Sequence, residues 1–111
     1  MPGIPHPAMP VVERRKVVEY LLAQDHPQGG AKARFFQRFG FARDDWQRLA
    51  DALVRHGQER ELSGEHLSPA GIKYALACAI ETPDGRNPCI ISIWIVEGAQ
   101  APRLITAYPA S

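Results

Sequence analysis

The chain has 111 residues, 45% of them hydrophobic and 23% charged, with a formal net charge of +1. That is one domain with one core, and the near-neutral balance excludes a broad nucleic-acid-coating surface while leaving room for a local basic site. No apolar run approaches the roughly 20 residues of a membrane span, and no basic-then-apolar signal pattern opens the chain, so it reads as cytoplasmic.

Residues 1–10 hold four prolines, one glycine and no periodicity, and read as a flexible Pro-rich arm before a single domain over 11–111. From Val11 to Gln24, Val11, Val18 and Leu22 fall on one stripe with Val17 and Leu21 beside it, which predicts an amphipathic helix. Asp25-His26-Pro27-Gln28-Gly29-Gly30 ends it. A short helix follows over about Lys32 to Phe39, with Phe35, Phe36 and Phe39 as its aromatic cluster and Gly40 as the residue that closes it. The strongest helical pattern runs from Ala42 to about Gln58, where Trp46, Leu49, Ala50, Leu53 and Val54 share a face. Asp44 and Asp45 lie in its first turn, Arg55 and His56 in its last as cations suited to the helix dipole, and Gly57 is a candidate stop.

After Glu61 the period changes to two. Residues 72–81, 89–96 and 103–108 read as three antiparallel strands, separated by turns at 82–88 and 98–102. A fourth strand near Arg60 to Leu62, or near Leu67, would add an edge. Centring the first hairpin on Asp84-Gly85 pairs Cys78 with Ile91 and Leu76 with Ile93. It leaves Trp94 and Ser92 on a mixed outer face opposite small alanines. The expected architecture is α+β, with two to three N-terminal helices packed on one face of a three- to four-stranded antiparallel β-meander. Cys78 and Cys89, the two cysteines, are diagonal neighbours in that register. The plain reading is two small core hydrophobes, the sharper one a redox pair. Neither they nor the four histidines have metal-ligand spacing, so no metal or other cofactor is expected.

The most unusual stretch is His26-Pro-Gln-Gly-Gly-Ala-Lys-Ala-Arg-Phe-Phe36. A glycine pair, Gly29 and Gly30, before a short helix exposes backbone N–H groups, and Lys32 and Arg34 add positive charge there. The chemistry suits a phosphate, although the spacing is not that of a P-loop; a helix-to-helix turn with solvated cations is the plainer alternative. His26, with an ordinary pKa of about 6.5, suits a general acid or base, or equally a turn cap. His6 falls in the arm and His66 in a polar loop. Thr106 and Tyr108 on the last strand are ordinary β-formers and also possible donors to an oxyanion. Arg86, in the first hairpin turn, is a phosphate ligand or a soluble turn residue.

Four motifs in order resemble a known family. They are His-Pro-x-Gly-(x)-x-Lys-Ala-x-Phe-Phe at His26 to Phe36, Gly-Phe-x-x-x-x-Trp at Gly40 to Trp46, Glu-Thr-Pro-Asp-Gly-Arg-Asn-Pro at Glu81 to Pro88, and Arg-x-x-Thr-Ala-Tyr-Pro at Arg103 to Pro109. Together they look like the uncharacterised bacterial and phage domain of unknown function 6883 (DUF6883). That family is in turn similar to small toxin nucleases of the barnase, EndoU, colicin and RelE type. The resemblance implies helices before a four-stranded antiparallel sheet, and metal-independent RNA cleavage of toxin–antitoxin type. By it, His26 takes the helix-side catalytic position, Lys32 binds phosphate, and Thr106 and Tyr108 are strand-end contacts. Two departures stand out. Ala42 occupies a position where a capping serine is expected, at a cost of about 1 kcal/mol, and the second, helix-borne histidine of the EndoU-like toxins is missing. The competing expectation is a non-enzymatic protein-binding module: an antitoxin, an immunity protein or a phage accessory. The partners expected are thus RNA or a small cognate protein and not a membrane; the sequence assigns no oligomeric state.

Overall fold

A computed structural model describes residues 2–110; the terminal Met1 and Ser111, included in the arm and domain readings, lie outside the described residues. The elements in order are α1 (Arg14–Lys16) continued by a π turn (Val17–Leu21), α2 (Gly30–Arg38), a 3-10 turn (Arg43–Asp45), α3 (Trp46–Glu59), and strands β1 (Glu61–Ser68), β2 (Gly71–Ala79), β3 (Cys89–Val96) and β4 (Arg103–Pro109). The strands form one antiparallel sheet in the order β1-β2-β3-β4. This is the expected α+β meander, with the fourth strand added at the edge.

The first helix differs from its expected span. Val11 is not helical, because its backbone completes the start of β4: its N–H donates to Pro102 O at 2.8 Å, and its carbonyl accepts from the Leu104 N–H at 3.0 Å. After one α-turn the chain widens, and the Leu22 N–H donates five residues back to Val17 O at 2.8 Å. The wider turn buries Val17, Leu21, Leu22 and Ala23 together. The segment read as a flexible arm is anchored at one point. Gly3 and Ile4 donate their N–H groups to Arg60 O (2.7 Å) and Gly57 O (2.9 Å), and Ile4 enters the core.

Helix α2 ends as expected. Gly40, at φ +105°, donates to Gln37 O, and the Phe41 N–H reaches Phe36 O. The Phe36 and Phe41 rings meet at 6.2 Å, the apolar contact that goes with this cap.

The β2–β3 register is one residue away from the expected one. Cys78 pairs with Ile90, Leu76 with Ser92 and Tyr74 with Trp94. The cause lies in the loop. Pro83 takes the second position of a turn closed by the Gly85 N–H to Thr82 O at 3.1 Å, so Asp-Gly occupies its third and fourth positions. Asn87, at φ 48°, is held by Thr82, whose N–H donates to Asn87 Oδ1 at 2.9 Å. The slip turns β3 over, with Trp94, Ser92 and Ile90 pointing into the core at 0% exposure while Ile91 and Ile93 take the outer face beside Ala75 and Ala77. The mixed outer face with Trp94 at its centre is therefore corrected. The plain reading of the cysteines as two separate core hydrophobes is corrected as well, in favour of a pair, because Cys78 and Cys89 form a disulfide. β1 carries a bulge between Leu62 and Gly64.

α3 lies on the inner face of the sheet, and its contact explains two misread residues. Gly57 does not stop the helix, which continues to Glu59. A Cβ there would stand 2.8 Å from the Trp94 ring, so glycine lets the indole pack against the helix backbone. His56 is no solvated cation. It is 1% exposed, with Nδ1 2.8 Å from Ser92 Oγ and Nε2 3.0 Å from the Cys78 carbonyl. A carbonyl only accepts, so Nε2 carries the proton and Nδ1 accepts from the Ser92 hydroxyl, which in turn accepts from the Trp94 indole N–H at 2.8 Å. Every member of this buried chain is satisfied with the imidazole neutral.

Two stability predictions follow from the core. Burial lowers the His56 pKa from 6.5 to about 4, with the Arg60 charge adding to it against the hydrogen bond to Cys78. The unfolded chain then binds the extra proton first as pH falls. Stability is complete above pH 6.5 and declines by about 3 kcal/mol as pH drops from 6.5 to about 4, as denaturant titrations across that window should show. The disulfide joins residues separated by 11 positions. Reduction with dithiothreitol should lower unfolding free energy by about 3 kcal/mol, seen as a lower denaturant midpoint.

Candidate functional site

The π turn, the 25–30 turn and β4 enclose an open cleft of about 650 Å³, lined by residues that include Glu19, Tyr20, His26 and Thr106. The cleft is built around Tyr20. The π turn directs its side chain out of the apolar stripe and across to β4, where the phenol oxygen lies 3.0 Å from Thr106 Oγ1, 86 residues further along the chain. Lys16 and Lys32 each place their ammonium 5.3 Å from the Tyr20 ring, and the His26 ring meets its edge at 5.1 Å. Burial raises the phenol's pKa, but the Thr106 hydroxyl, Lys32 and Lys16 together outweigh it and leave the phenol below its ordinary 10.0. Tyr20 is absent from the sequence-based site because it looks like one polar-face residue of a helix; only its meeting with β4 singles it out.

The 26–32 turn is a locally closed structure. His26 Nδ1 accepts the N–H groups of Gln28 (3.0 Å) and Gly29 (2.8 Å), and the His26 carbonyl accepts the Gly30 N–H (2.9 Å). The amides of Gly29 and Gly30 are therefore spent inside the turn and are not free donors to an anion. The glycines serve close passage: a Cβ on Gly29 would stand 2.3 Å from Tyr20 O and one on Gly30 2.6 Å from Gln24 O. The same bonds decide the tautomer of His26. With Nδ1 accepting, the ring proton sits on Nε2, so His26 presents a donor and not a base. Lys32 Nζ donates to Gln28 O at 3.4 Å and stays beside the cleft.

His26, Lys32 and Thr106 thus come together around Tyr20. Tyr108, 38% exposed, pairs with Ile91 further along β4 and does not line the cleft. Arg34 is exposed along α2 and also lies off the lining. Arg86 is held elsewhere: it bonds Asp84 at 2.6 Å and Arg38 O at 2.8 Å, with its guanidinium 4.3 Å above the Phe39 ring, and so clips the hairpin loop to the end of α2. The Arg86 backbone N–H, which donates to Asp84 Oδ1 at 3.0 Å, outweighs burial and, with the Arg86 guanidinium and the Thr82 hydroxyl, holds the Asp84 carboxyl below its ordinary pKa. Arg103, on the far wall, pairs with Glu97 at 2.5 Å and Glu13 at 3.8 Å. Glu19 has no ion pair among the described residues. No group of three metal-ligating side chains occurs among the described residues, and among them no helix is long and apolar enough to cross a membrane.

Comparisons place this geometry in context. No curated protein matches the chain in sequence. The fold is similar to a chain of a solved contact-dependent growth inhibition toxin–immunity protein complex from Klebsiella pneumoniae 342. That match has a TM-score of 0.75 at 17% identity, over 91% of this chain and 93% of that one. The sequence profile of a domain of unknown function, DUF6883, matches residues 5–111, a span that holds all four motifs, and the chain belongs to that family.

Proposed function

We propose that this chain is a toxin-type, metal-independent ribonuclease domain that receives an RNA phosphodiester in the cleft around Tyr20, without a cofactor. The observation that carries the reading is the convergence of Lys16, the His26 Nε2–H and the Thr106 hydroxyl on one open, polar cleft, with Lys32 beside it over the Tyr20 ring, although the chain as a whole is nearly neutral. Cations and donors collected in this way favour a phosphate and the extra charge it gains on the way to products. The similarity of fold to a member of a toxin–immunity complex supports the toxin-type reading, and a small cognate partner protein accords with it. Lys32 is assigned to the phosphate, His26 to a donor role through Nε2, and Thr106 to the support of Tyr20 through its hydroxyl. Action on cytoplasmic RNA is part of the proposal.

One observation favours the second reading, a non-enzymatic module of immunity or antitoxin type. The outer sheet face carries Ile91 and Ile93, both only half-buried, beside Ala75 and Ala77. A wild-type protein that leaves RNA intact, with a cognate partner lost in Ile93→Lys, would select it.

The purified chain should degrade total RNA equally with and without EDTA, and Lys32→Ala should slow this by about 100-fold with an unchanged circular dichroism spectrum. Full activity in Lys32→Ala would remove the cleft from the reaction. His26→Asn keeps an acceptor for the two turn amides, so it should melt near the wild type; His26→Ala should lose about 1 kcal/mol in denaturant titrations.

A further inference from the structure

We propose that Tyr20 is the general acid of the cleft, the group that protonates the leaving 5′-oxygen when an RNA phosphodiester is cleaved; this rests on the ribonuclease reading above. The geometry singles out this side chain by elimination and by fit. The His26 imidazole is neutral with its only proton on Nε2, and Nδ1 is held by two amides; neutral imidazole is too weak an acid for the task. Lys16 and Lys32 stand over the Tyr20 ring, where they stabilise charge on it. What surrounds the phenol is arranged for the state after its proton has gone. Thr106 Oγ1, at 3.0 Å, can donate to a phenolate as readily as accept from a phenol, and the two ammonium groups offset its charge. A proton donor whose conjugate base is supported in advance has the property that acid catalysis requires.

The step balances with groups of this chain. The 2′-hydroxyl loses its proton to the carboxylate of Glu19, which lines the same cleft without an ion pair among the described residues. The 2′-oxygen bonds to phosphorus as the bond from phosphorus to the 5′-oxygen breaks, and the departing oxygen takes its electron pair and the Tyr20 proton. The products are a 2′,3′-cyclic phosphate and a 5′-hydroxyl, with phenolate and carboxylic acid left to exchange the proton through solvent.

The test uses an oligoribonucleotide spanning a linkage that the wild type cuts in total RNA, made with the ordinary 5′-oxygen or with sulfur in its place. A thiolate leaves without protonation. Tyr20→Phe should slow cleavage of the oxygen substrate by about 100-fold or more and cut the sulfur substrate within a few-fold of the wild type. Equal losses on both substrates, or none on either, would overturn the assignment while leaving the ribonuclease reading in place. A wild-type protein that cuts neither total RNA nor the oligonucleotides would overturn the ribonuclease reading, and this assignment with it. Absorbance of the phenolate near the ultraviolet edge, titrated in wild type and in Tyr20→Phe, gives a readout besides activity. The difference should report one phenol that ionises below its ordinary range and moves up in Lys32→Met; a difference curve with no early-ionising phenol would overturn the assignment.

Discussion

The seat of α3 on the sheet is the contact on which the rest of the molecule depends. It combines shape with hydrogen bonding at one place. The Trp94 ring lies against the bare backbone of Gly57, and one residue earlier His56 reaches through Ser92 to the same indole. The apolar part excludes water, and the polar part then permits one relative position of helix and strand, because any displacement would leave a buried donor or acceptor alone. Ile4 closes the same spot from the N-terminal side, its amide bound to the carbonyl of Gly57.

The cleft is a secondary consequence of that seat. With β3 fixed by Trp94, β4 runs beside it and the π turn packs its buried residues, Val17 and Leu21, against the core. The widened turn leaves Tyr20 directed at Thr106. π turns are frequent where a side chain must be re-aimed at a functional position. Here the re-aimed side chain is the one that joins the two halves of the chain.

What the sequence revealed and what it hid have separate physical causes. The apolar run of β3 gave its ends without error, since eight consecutive apolar or small residues between proline-rich turns fit only a buried strand. The cap at Gly40 was equally plain, because glycine after an aromatic helix has few other uses. The register was hidden, because Asp84-Gly85 imitates a two-residue hairpin while Pro83, one step earlier, governs the turn. That single slip also misplaced Trp94, and with it the mixed outer face. His56 and Gly57 were misread for a related reason: each is explained by Ser92 or Trp94, more than thirty residues away, and no local pattern carries that information. Of the site, His26, Lys32 and Thr106 were legible as residue types, whereas Tyr20 became visible only through a contact across the whole fold.

The two margins of the sheet carry a last consequence. An open meander has two outer strands whose unpaired amides and carbonyls invite a neighbouring molecule to add its own strand, the first step towards fibrils. Here β4 begins under the backbone of Val11, which takes up its first bonding positions. β1 is kinked by its bulge and carries Glu61, Glu65 and His66 along an edge where Leu67 is 77% exposed. A flat, uncharged β1 would be a sticky template. The kink and the charges oppose the addition of a foreign strand along this margin, where Leu67 alone offers a large apolar side chain to solvent in more than half its area.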